Sequence, residues 1–251
     1  MVAEHMRLQP TEQTLVIMEP TWVNHYVIFK RAGKWFQINM YDPKTNGFKY
    51  EEVIDALANK VPRGSVVLMQ ACANNPTGID PTEQQWIGLS KICKDKGLIP
   101  LVDSAYLGFV TGDFKKDSFP IRLLAEDGHK FFVCQSFSKN MGLYGERLGC
   151  LHTICKDKSE VLRIADYFGK NTSECIGHPT SYPARIVTKL LGSQEYRNEW
   201  LSELQEVTGR MLKVRASLLK NIKDLKTPGY WDHIINQRGL FTYTGFPCIR
   251  L

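Results

Sequence analysis

Apolar residues along the chain follow two repeating patterns. Short apolar runs bounded by polar residues or glycine are typical of buried strands, whereas apolar residues three or four positions apart are typical of helices. Because runs of the first kind alternate with helical segments, we predict an α/β fold with a mostly parallel sheet flanked by helices. The strand-like runs are 14–18, 35–41, 65–70, 98–103, 131–136 and 148–154, and the helical segments are 22–33, 50–61 and 80–97.

The segment 80–97 carries the clearest helix signals. Asp80 is a candidate N-cap, and Pro81 fits the first turn. Glu83 would close a capping box, and Gly97 would end the helix. We therefore expect a capped helix between two strands of the sheet.

Beyond residue 156 the sequence becomes predominantly helical. Apolar residues recur every three or four positions between 195 and 225, which predicts one long helix with a single buried apolar face. A last strand-like run, at 239–245, has no later strand to pair with. The apolar positions of the long helix are Trp200, Leu204, Val207, Met211, Val214, Leu218, Ile222 and Leu225.

Charge and composition exclude several classes of partner. The net charge of +6 is spread over the chain, as for a solvated lysine surface, with mild steering of anions as the alternative. No basic stripe with interleaved aromatic residues indicates a nucleic acid, and no apolar run is long enough to span a membrane. Seven scattered cysteines without a C-x-x-C pair indicate free thiols in a reducing compartment, without a disulfide frame or metal site.

Polar side chains follow three successive strands of the predicted sheet. Asn74 and Asn75 follow the first of them, Asp103 ends the second, and residues 136–139 follow the third. In open α/β sheets, ligands bind beyond the carboxyl ends of the strands. These side chains are therefore candidates for a common site.

The segment SFSKNMGLYGERLG, at 136–149, combines hydroxyl groups, one amine and one guanidinium with three glycines. An ordinary surface turn would explain this composition. The alternative is an anion site, in which Ser136, Ser138, backbone N–H groups and Arg147 would hold a phosphate beside the amine of Lys139.

Pyridoxal 5′-phosphate requires all these groups at once. Its aldehyde reacts with a lysine amine, and its ring nitrogen needs a carboxylate, for which Lys139 and Asp103 are the candidates. Its phenolic oxygen needs donors such as Asn75 and Tyr106, and an aromatic side chain such as Trp22 would stack on the ring. Taken singly, an aspartate after a strand is typical of a helix cap, and N-P-T-G is typical of a turn.

The combined motifs resemble the aspartate aminotransferases, which belong to fold type I of the pyridoxal-phosphate enzymes. The resemblance implies that Lys139 binds the cofactor covalently and later moves the α-proton of the substrate. It also implies that Asp103 contacts the ring nitrogen. The matching motifs are PTW-x-NH at 20–25, ACANNPTGIDPTEQQW at 71–86, DSAYLGFVTGD at 103–113 and QSFSKNMGLYGERLG at 135–149, followed by segments at 183–187, 227–234 and 239–245.

The remaining site residues are also implied by this resemblance. Tyr106 and Asn75 would contact the phenolic oxygen, and Ser136 and Arg147 would hold the phosphate. Trp22 would stack on the ring. His25 would lie beneath the aspartate, although ordinary packing explains both this histidine and the tryptophan equally simply.

The resemblance implies transamination between L-aspartate and 2-oxoglutarate, giving oxaloacetate and L-glutamate, in a homodimer. It implies an incomplete cofactor-binding large domain over 1–194. The long helix and the start of a truncated smaller domain would cover 195–251. Without a leader sequence we expect a cytoplasmic location, with a mitochondrial one left open because the N-terminus resembles an internal segment of the family.

Several departures from the family pattern leave the activity open. Ser173 stands where the family has an arginine for the distal carboxylate, Gly177-His178 replaces a Ser-Asn pair, and Arg250 matches no family motif. The family's N-terminal phosphate loop and its arginine for the α-carboxylate have no counterpart here. The alternatives to the aspartate enzyme are therefore a catalytically impaired truncated homologue and an aminotransferase of altered specificity.

Overall fold

A computed structural model of the chain describes residues 1–9 and 12–244. Its centre is a six-stranded sheet in the order β2-β1-β5-β6-β7-β8, in which only β8 runs antiparallel to its neighbour. This arrangement confirms the predicted mostly parallel α/β fold. The strands are β1 Thr14–Glu19, β2 Lys34–Asn39, β3 Tyr41–Asp42, β4 Gly47–Phe48, β5 Val66–Gln70, β6 Ile99–Ser104, β7 Phe131–Ser136 and β8 Gly149–Ile154.

Helices cover both faces of the sheet. Side chains alternate along a strand, so β1 buries Leu15 and Ile17 in one core cluster and Val16 and Met18 in the other. The helices are α1 Val2–Arg7, α2 Asn24–Ile28, α3 Tyr50–Asn59, α4 Glu83–Lys96, α5 Phe114–Asp117, α6 Phe119–Glu126, α7 Lys158–Ile176, α8 Ser181–Gly192, α9 Gln194–Asp224 and α10 His233–Asn236. None of these helices is both long enough and apolar enough to cross a membrane.

The helix predicted over 22–33 is much shorter in the structure. Only Asn24–Ile28 is helical, because the chain turns at Phe29 and the indole of Trp35 donates to the Phe29 carbonyl. The strand predicted over 35–41 ends at Asn39, whose side chain accepts a hydrogen bond from the backbone N–H of Tyr41. Residues 41–48 then form a separate hairpin of β3 and β4.

Asp80 does not cap α4, contrary to the sequence prediction. Thr82 is the N-cap and forms a capping box with Gln85, in which each side chain bonds the backbone N–H of the other residue. The sequence T-E-Q-Q at 82–85 also fits the capping-box pattern, so the sequence alone allowed this pair to be predicted. The predicted end at Gly97 is confirmed, and this glycine takes up a left-handed conformation.

The long helix α9 forms as predicted, but its buried face differs from the predicted apolar stripe. Trp200, Leu204 and Ile222 are buried, whereas Val207, Val214, Leu218 and Leu225 are exposed. The buried face includes the polar residues Thr208 and Arg215 instead. Thr208 donates to the Gly108 carbonyl, and Arg215 donates to the carbonyls of Ile234 in α10 and Gly239, which an apolar side chain cannot do.

No strand forms in the described part of the last strand-like run, residues 239–244. The guanidinium of Arg215 donates to the carbonyls of Gly239 and Phe241, at 2.8 and 2.6 Å. These carbonyls are therefore bound by a side chain rather than by a neighbouring strand. Gly245 and Arg250 lie outside the described residues.

Candidate functional site

The carboxyl ends of β5, β6 and β7 bring the predicted site residues to one edge of the sheet. Gln70 and Asp103 are partners in the pairing of β5 with β6, and Ser104 pairs with Gln135 at the end of β7. Because parallel strands end at the same edge, the segments that follow them converge there. The site is therefore assembled from three loops that are distant in sequence.

Asp103 is held by a chain of hydrogen-bonding side chains. Its Oδ2 lies 3.1 Å from Nε2 of His25, and Nδ1 of His25 lies 2.7 Å from the hydroxyl of Thr21. The amide nitrogen of Gln70 lies 3.4 Å from the same hydroxyl. A carboxylate only accepts hydrogen bonds, so Nε2 of His25 donates to Asp103, and Thr21 and Gln70 extend the chain behind the imidazole.

Gln70 also fixes the turn that carries Asn75. Its side-chain nitrogen donates to the Asn75 carbonyl at 3.0 Å, and its side-chain oxygen accepts from the Asn75 N–H at 2.9 Å. The Asn75 side chain donates to the Tyr106 hydroxyl at 3.3 Å. We refer to the connected residues Thr21, His25, Gln70, Asn75, Asp103 and Tyr106 as the strand-end network.

A cavity of about 400 Å³ opens beside Asp103. Trp22 and His25 line it, and their rings meet edge to face with centroids 5.4 Å apart. Ser136 lines it from the end of β7, and Arg147 lines it from the loop that follows. The cavity therefore offers an aromatic wall, a carboxylate, a hydroxyl and a guanidinium.

Lys139 lies in the same loop but does not line the cavity beside Asp103. Its Nζ is 5.4 Å from the ring centroid of Tyr106 and 5.1 Å from that of Tyr144. It borders a second cavity of about 620 Å³, together with residues of α8 and α9 such as Trp200. Tyr106 therefore joins the lysine to the strand-end network.

The backbone beside Lys139 is tied to neighbouring elements. The Asn140 side chain donates to the Leu107 carbonyl at 3.2 Å, and the indole of Trp200 donates to the Asn140 carbonyl at 2.6 Å. Arg147, by contrast, is exposed, and its guanidinium donates to the carbonyl of Tyr144 in the same loop. The remaining N–H groups of that guanidinium can face an anion.

The loop after Tyr106 is organised by a buried carboxylate that the sequence did not single out. Asp117 accepts the backbone N–H groups of Gly108, Val110 and Thr111, and also the Thr111 hydroxyl. On the opposite side, Thr208 of α9 donates to the Gly108 carbonyl. Because both side chains bond the loop backbone, they restrict the movement of the segment that follows Tyr106 and thereby help to position the Tyr106 ring.

The structure thus brings all eight predicted site residues to this edge of the sheet, in two groups. Trp22, His25, Asp103, Ser136 and Arg147 line the cavity. Asn75, Tyr106 and Lys139 form a contacting set next to it. Ser173, which the sequence resemblance implies is at the specificity position, is exposed on α7.

Sequence reasoning missed the bridging role of Thr21 and Gln70. Both residues were visible in the motifs, but a glutamine at a strand end and a threonine in a turn have no distinctive pattern. Their role depends on contacts between segments 49 residues apart, which spacing alone does not reveal. Within the described residues there is no group of metal-ligating side chains.

Comparison with known proteins gives consistent matches. The family model "Aminotransferase class I and II" matches residues 3–248. The chain is 41% identical over 235 residues to aspartate aminotransferase 3, chloroplastic, of Arabidopsis thaliana, covering 93% of this chain and 52% of the relative. The chain therefore spans about half the length of this curated relative. Other similar proteins are named as mitochondrial and cytoplasmic aspartate aminotransferases.

Solved structures show the same similarity. Aspartate aminotransferase from the cytoplasm of Saccharomyces cerevisiae superposes with a TM-score of 0.94 at 35% identity, over 98% of this chain and 61% of that one. An aromatic-amino-acid aminotransferase from Burkholderia pseudomallei, covalently bound to pyridoxal phosphate, superposes with a TM-score of 0.93 at 33% identity, over the same two shares. At these identities and coverages, the similarity extends beyond the fold to the family.

Proposed function

The chain belongs to the class I and II aminotransferase family, and from this premise we propose that it binds pyridoxal 5′-phosphate and catalyses transamination between L-aspartate and 2-oxoglutarate. The products would be oxaloacetate and L-glutamate. The observation that carries the proposal is the cavity lined by both Asp103 and Trp22, with His25 bonded to the carboxylate and in ring contact with the indole. An acid held in this way is suited to a protonated aromatic nitrogen.

The groups around the cavity fit this cofactor chemically. A flat aromatic ring can pack against Trp22 while Asp103 faces its nitrogen. The Ser136 hydroxyl and the Arg147 guanidinium supply donors for a phosphate. Asn75 and Tyr106, which bond each other, supply donors for a phenolic oxygen.

Each residue would have a distinct part in the reaction. When bound, the cofactor supplies an electron sink that makes the α-proton of an amino acid acidic. Lys139 would hold the cofactor by its amine and, once released, accept the α-proton at Nζ and return it. The faces of Tyr106 and Tyr144 hold that ammonium group by cation–π contacts. His25 keeps Asp103 oriented by donating from Nε2.

We also propose that the large domain covers 1–194 and that α9 begins a second unit over 195–251. The small-molecule partners would be amino acids and 2-oxo acids. The protein would act as a homodimer in the cytoplasm. These proposals rest on the family membership, and the compartments in the names of its relatives vary.

An altered substrate specificity is the second candidate function. Ser173 is exposed on α7 and carries no charge for a distal carboxylate. A chain without that charge would accept aromatic or monocarboxylic amino acids as readily as aspartate, because a charged hydrogen bond contributes roughly 1.5–3 kcal/mol. Comparing rates with aspartate and phenylalanine separates the two candidates.

The decisive experiment is the absorbance spectrum of the protein with pyridoxal phosphate, before and after borohydride reduction. We expect a band that reduction fixes covalently in the wild type and in Lys189→Ala, but not in Lys139→Ala. Lys189 is a matched control because it lines the same cavity as Lys139. Covalent labelling that persists in Lys139→Ala, or no band in the wild type, would contradict the proposal.

A further inference from the structure

The turn at 73–78 is held by side chains rather than by a strand or helix. The N–H groups of Ala73 and Asn74 donate to the two carboxylate oxygens of Asp80, at 2.7 and 3.0 Å. The next N–H, that of Asn75, donates to Gln70. Three consecutive backbone N–H groups therefore converge on two side chains.

The backbone of this turn needs such support. Ala73 has a φ of +52°, in the left-handed region that non-glycine residues rarely adopt. The segment that Arg215 holds packs directly against the turn, since a Cβ at Gly239 would lie 2.3 Å from the Cβ of Ala73. The turn is also joined to this segment by the Arg238 N–H, which donates to the Gly78 carbonyl at 2.7 Å.

The charge of Asp80 affects how strongly its carboxyl holds the backbone N–H groups of Ala73 and Asn74. The ionised carboxyl accepts both N–H groups more strongly than the neutral acid does, because protonation makes one oxygen an O–H donor and reduces its capacity to accept. Burial, together with nearby Asp117, raises the pKa of Asp80 to about 6 against the opposing effect of the backbone N–H donors and Arg238. The Cys72 thiol also lies near Asp80, and burial raises the pKa of this thiol well above its ordinary value.

We propose that Asp80 is a positioning residue, whose ionised carboxylate sets the 73–78 turn and so places the Asn75 amide against the Tyr106 hydroxyl. This inference rests on the proposed function, because Asn75 and Tyr106 are the groups assigned to the phenolic oxygen of the cofactor. The contact between their side chains, at 3.3 Å, is the point at which the turn reaches the site. As the pH falls below about 6, the carboxylate is protonated, its bonds to Ala73 and Asn74 weaken, and the Asn75 side chain becomes less firmly positioned although Gln70 still bonds its backbone.

The experiment combines two readouts on the wild type, Asp80→Asn and Glu83→Gln. Glu83 is a matched control because it is an exposed acid three residues away, so its substitution changes the net charge equally. In the cofactor-free protein, amide NMR follows the backbone N–H signals of Ala73 and Asn74 and the side-chain amide of Asn75 from pH 5 to pH 8. Absorbance titration with pyridoxal phosphate gives the Kd across the same pH range.

We expect all three signals to titrate together near pH 6 in the wild type and in Glu83→Gln, but not in Asp80→Asn. The Kd for pyridoxal phosphate should be about tenfold weaker in Asp80→Asn at pH 8 and equal to the control at pH 5, because one charge-assisted bond contributes about that factor. A merely structural aspartate would give a pH-independent difference in Kd.

Two results would overturn the inference. One is the absence of any titration of the Asn75 side-chain amide in the wild type, a measurement that requires no variant to fold. The other is an equal Kd for Asp80→Asn and Glu83→Gln at pH 8. If pyridoxal phosphate binds to none of the proteins, the proposed function fails, while the NMR titration still decides the role of Asp80.

Discussion

The strand-end network and the 136–149 loop share one edge of the sheet but are held by different forces. In the network, His25 and Asp103 are fixed by hydrogen bonds between separate segments of the chain. In the loop, Arg147 contacts the carbonyl and the ring of Tyr144 in the same loop, and Lys139 lies over the rings of Tyr106 and Tyr144. Substitutions in the network should therefore change both stability and cofactor binding, whereas substitutions of Lys139 or Arg147 should change binding alone.

The largest change in the free energy of unfolding is expected at Asp117, which bonds the loop next to Tyr106 of the strand-end network. Asp117→Ala removes the acceptor of three backbone N–H groups beside Tyr106, and should lower the free energy of unfolding by about 4 kcal/mol. Urea denaturation measures this change. The control Asp113→Ala removes only a helix cap over exposed N–H groups, and should cost about 1 kcal/mol. Equal losses in the two variants would contradict this account of the loop.

The raised pKa of Asp80 should make the stability of the protein depend on pH. Its folded pKa of about 6 lies above the ordinary value of 3.8, so its contribution to stability is fully present below 3.8 and lost as the pH rises through 6. The advantage of the wild type over Asp80→Asn should thus fall by about 3 kcal/mol across this window. Urea denaturation of both proteins at several pH values tests the sign, and an advantage that grows with pH would contradict it.

A smaller loss is expected at the centre of the network. His25→Phe keeps the ring but removes the donor to Asp103 and the partner of Thr21. We expect the free energy of unfolding to fall by about 2 kcal/mol and the Kd for pyridoxal phosphate to rise about tenfold. Denaturation and absorbance titration give the two values. A change in only one of them would show that stability and binding are not coupled here.

The smallest stability effect should occur in the loop. Arg147→Lys keeps the charge but loses the paired donors of the guanidinium, so we expect about tenfold weaker binding of pyridoxal phosphate. The free energy of unfolding should change by less than about 0.5 kcal/mol, because the side chain is exposed. A large loss of stability in Arg147→Lys would contradict the proposed difference between the strand-end network and the 136–149 loop.

The features of this fold that could be predicted are those that depend on short-range sequence patterns. The strands, the end of α4 at Gly97 and the convergence of Asp103 with the 136–149 loop follow from periodicity, capping and the rule for strand ends. The Asp80 prediction failed because a strand-end turn competed for its carboxylate, and Thr82 offered the helix an equally good cap.

The prediction of the buried face of α9 was wrong for a similar reason. Thr208 and Arg215 are buried because neighbouring segments present carbonyls to them. A hydrophobic scale assigns such residues to the surface. The same carbonyl contacts explain why the residues of 239–244 do not form a strand. Contacts of this kind depend on the assembled fold, and no local pattern encodes them.

The bond between His25 and Asp103 also has a consequence for the order of folding. These residues are 78 positions apart, and they meet only after β1, β5 and β6 have taken their places side by side. Loop closure over such a distance is entropically unfavourable until the intervening strands have paired. Completion of this bond therefore marks a nearly finished sheet, so a partly folded chain should reach no cofactor-competent state before its central strands have formed.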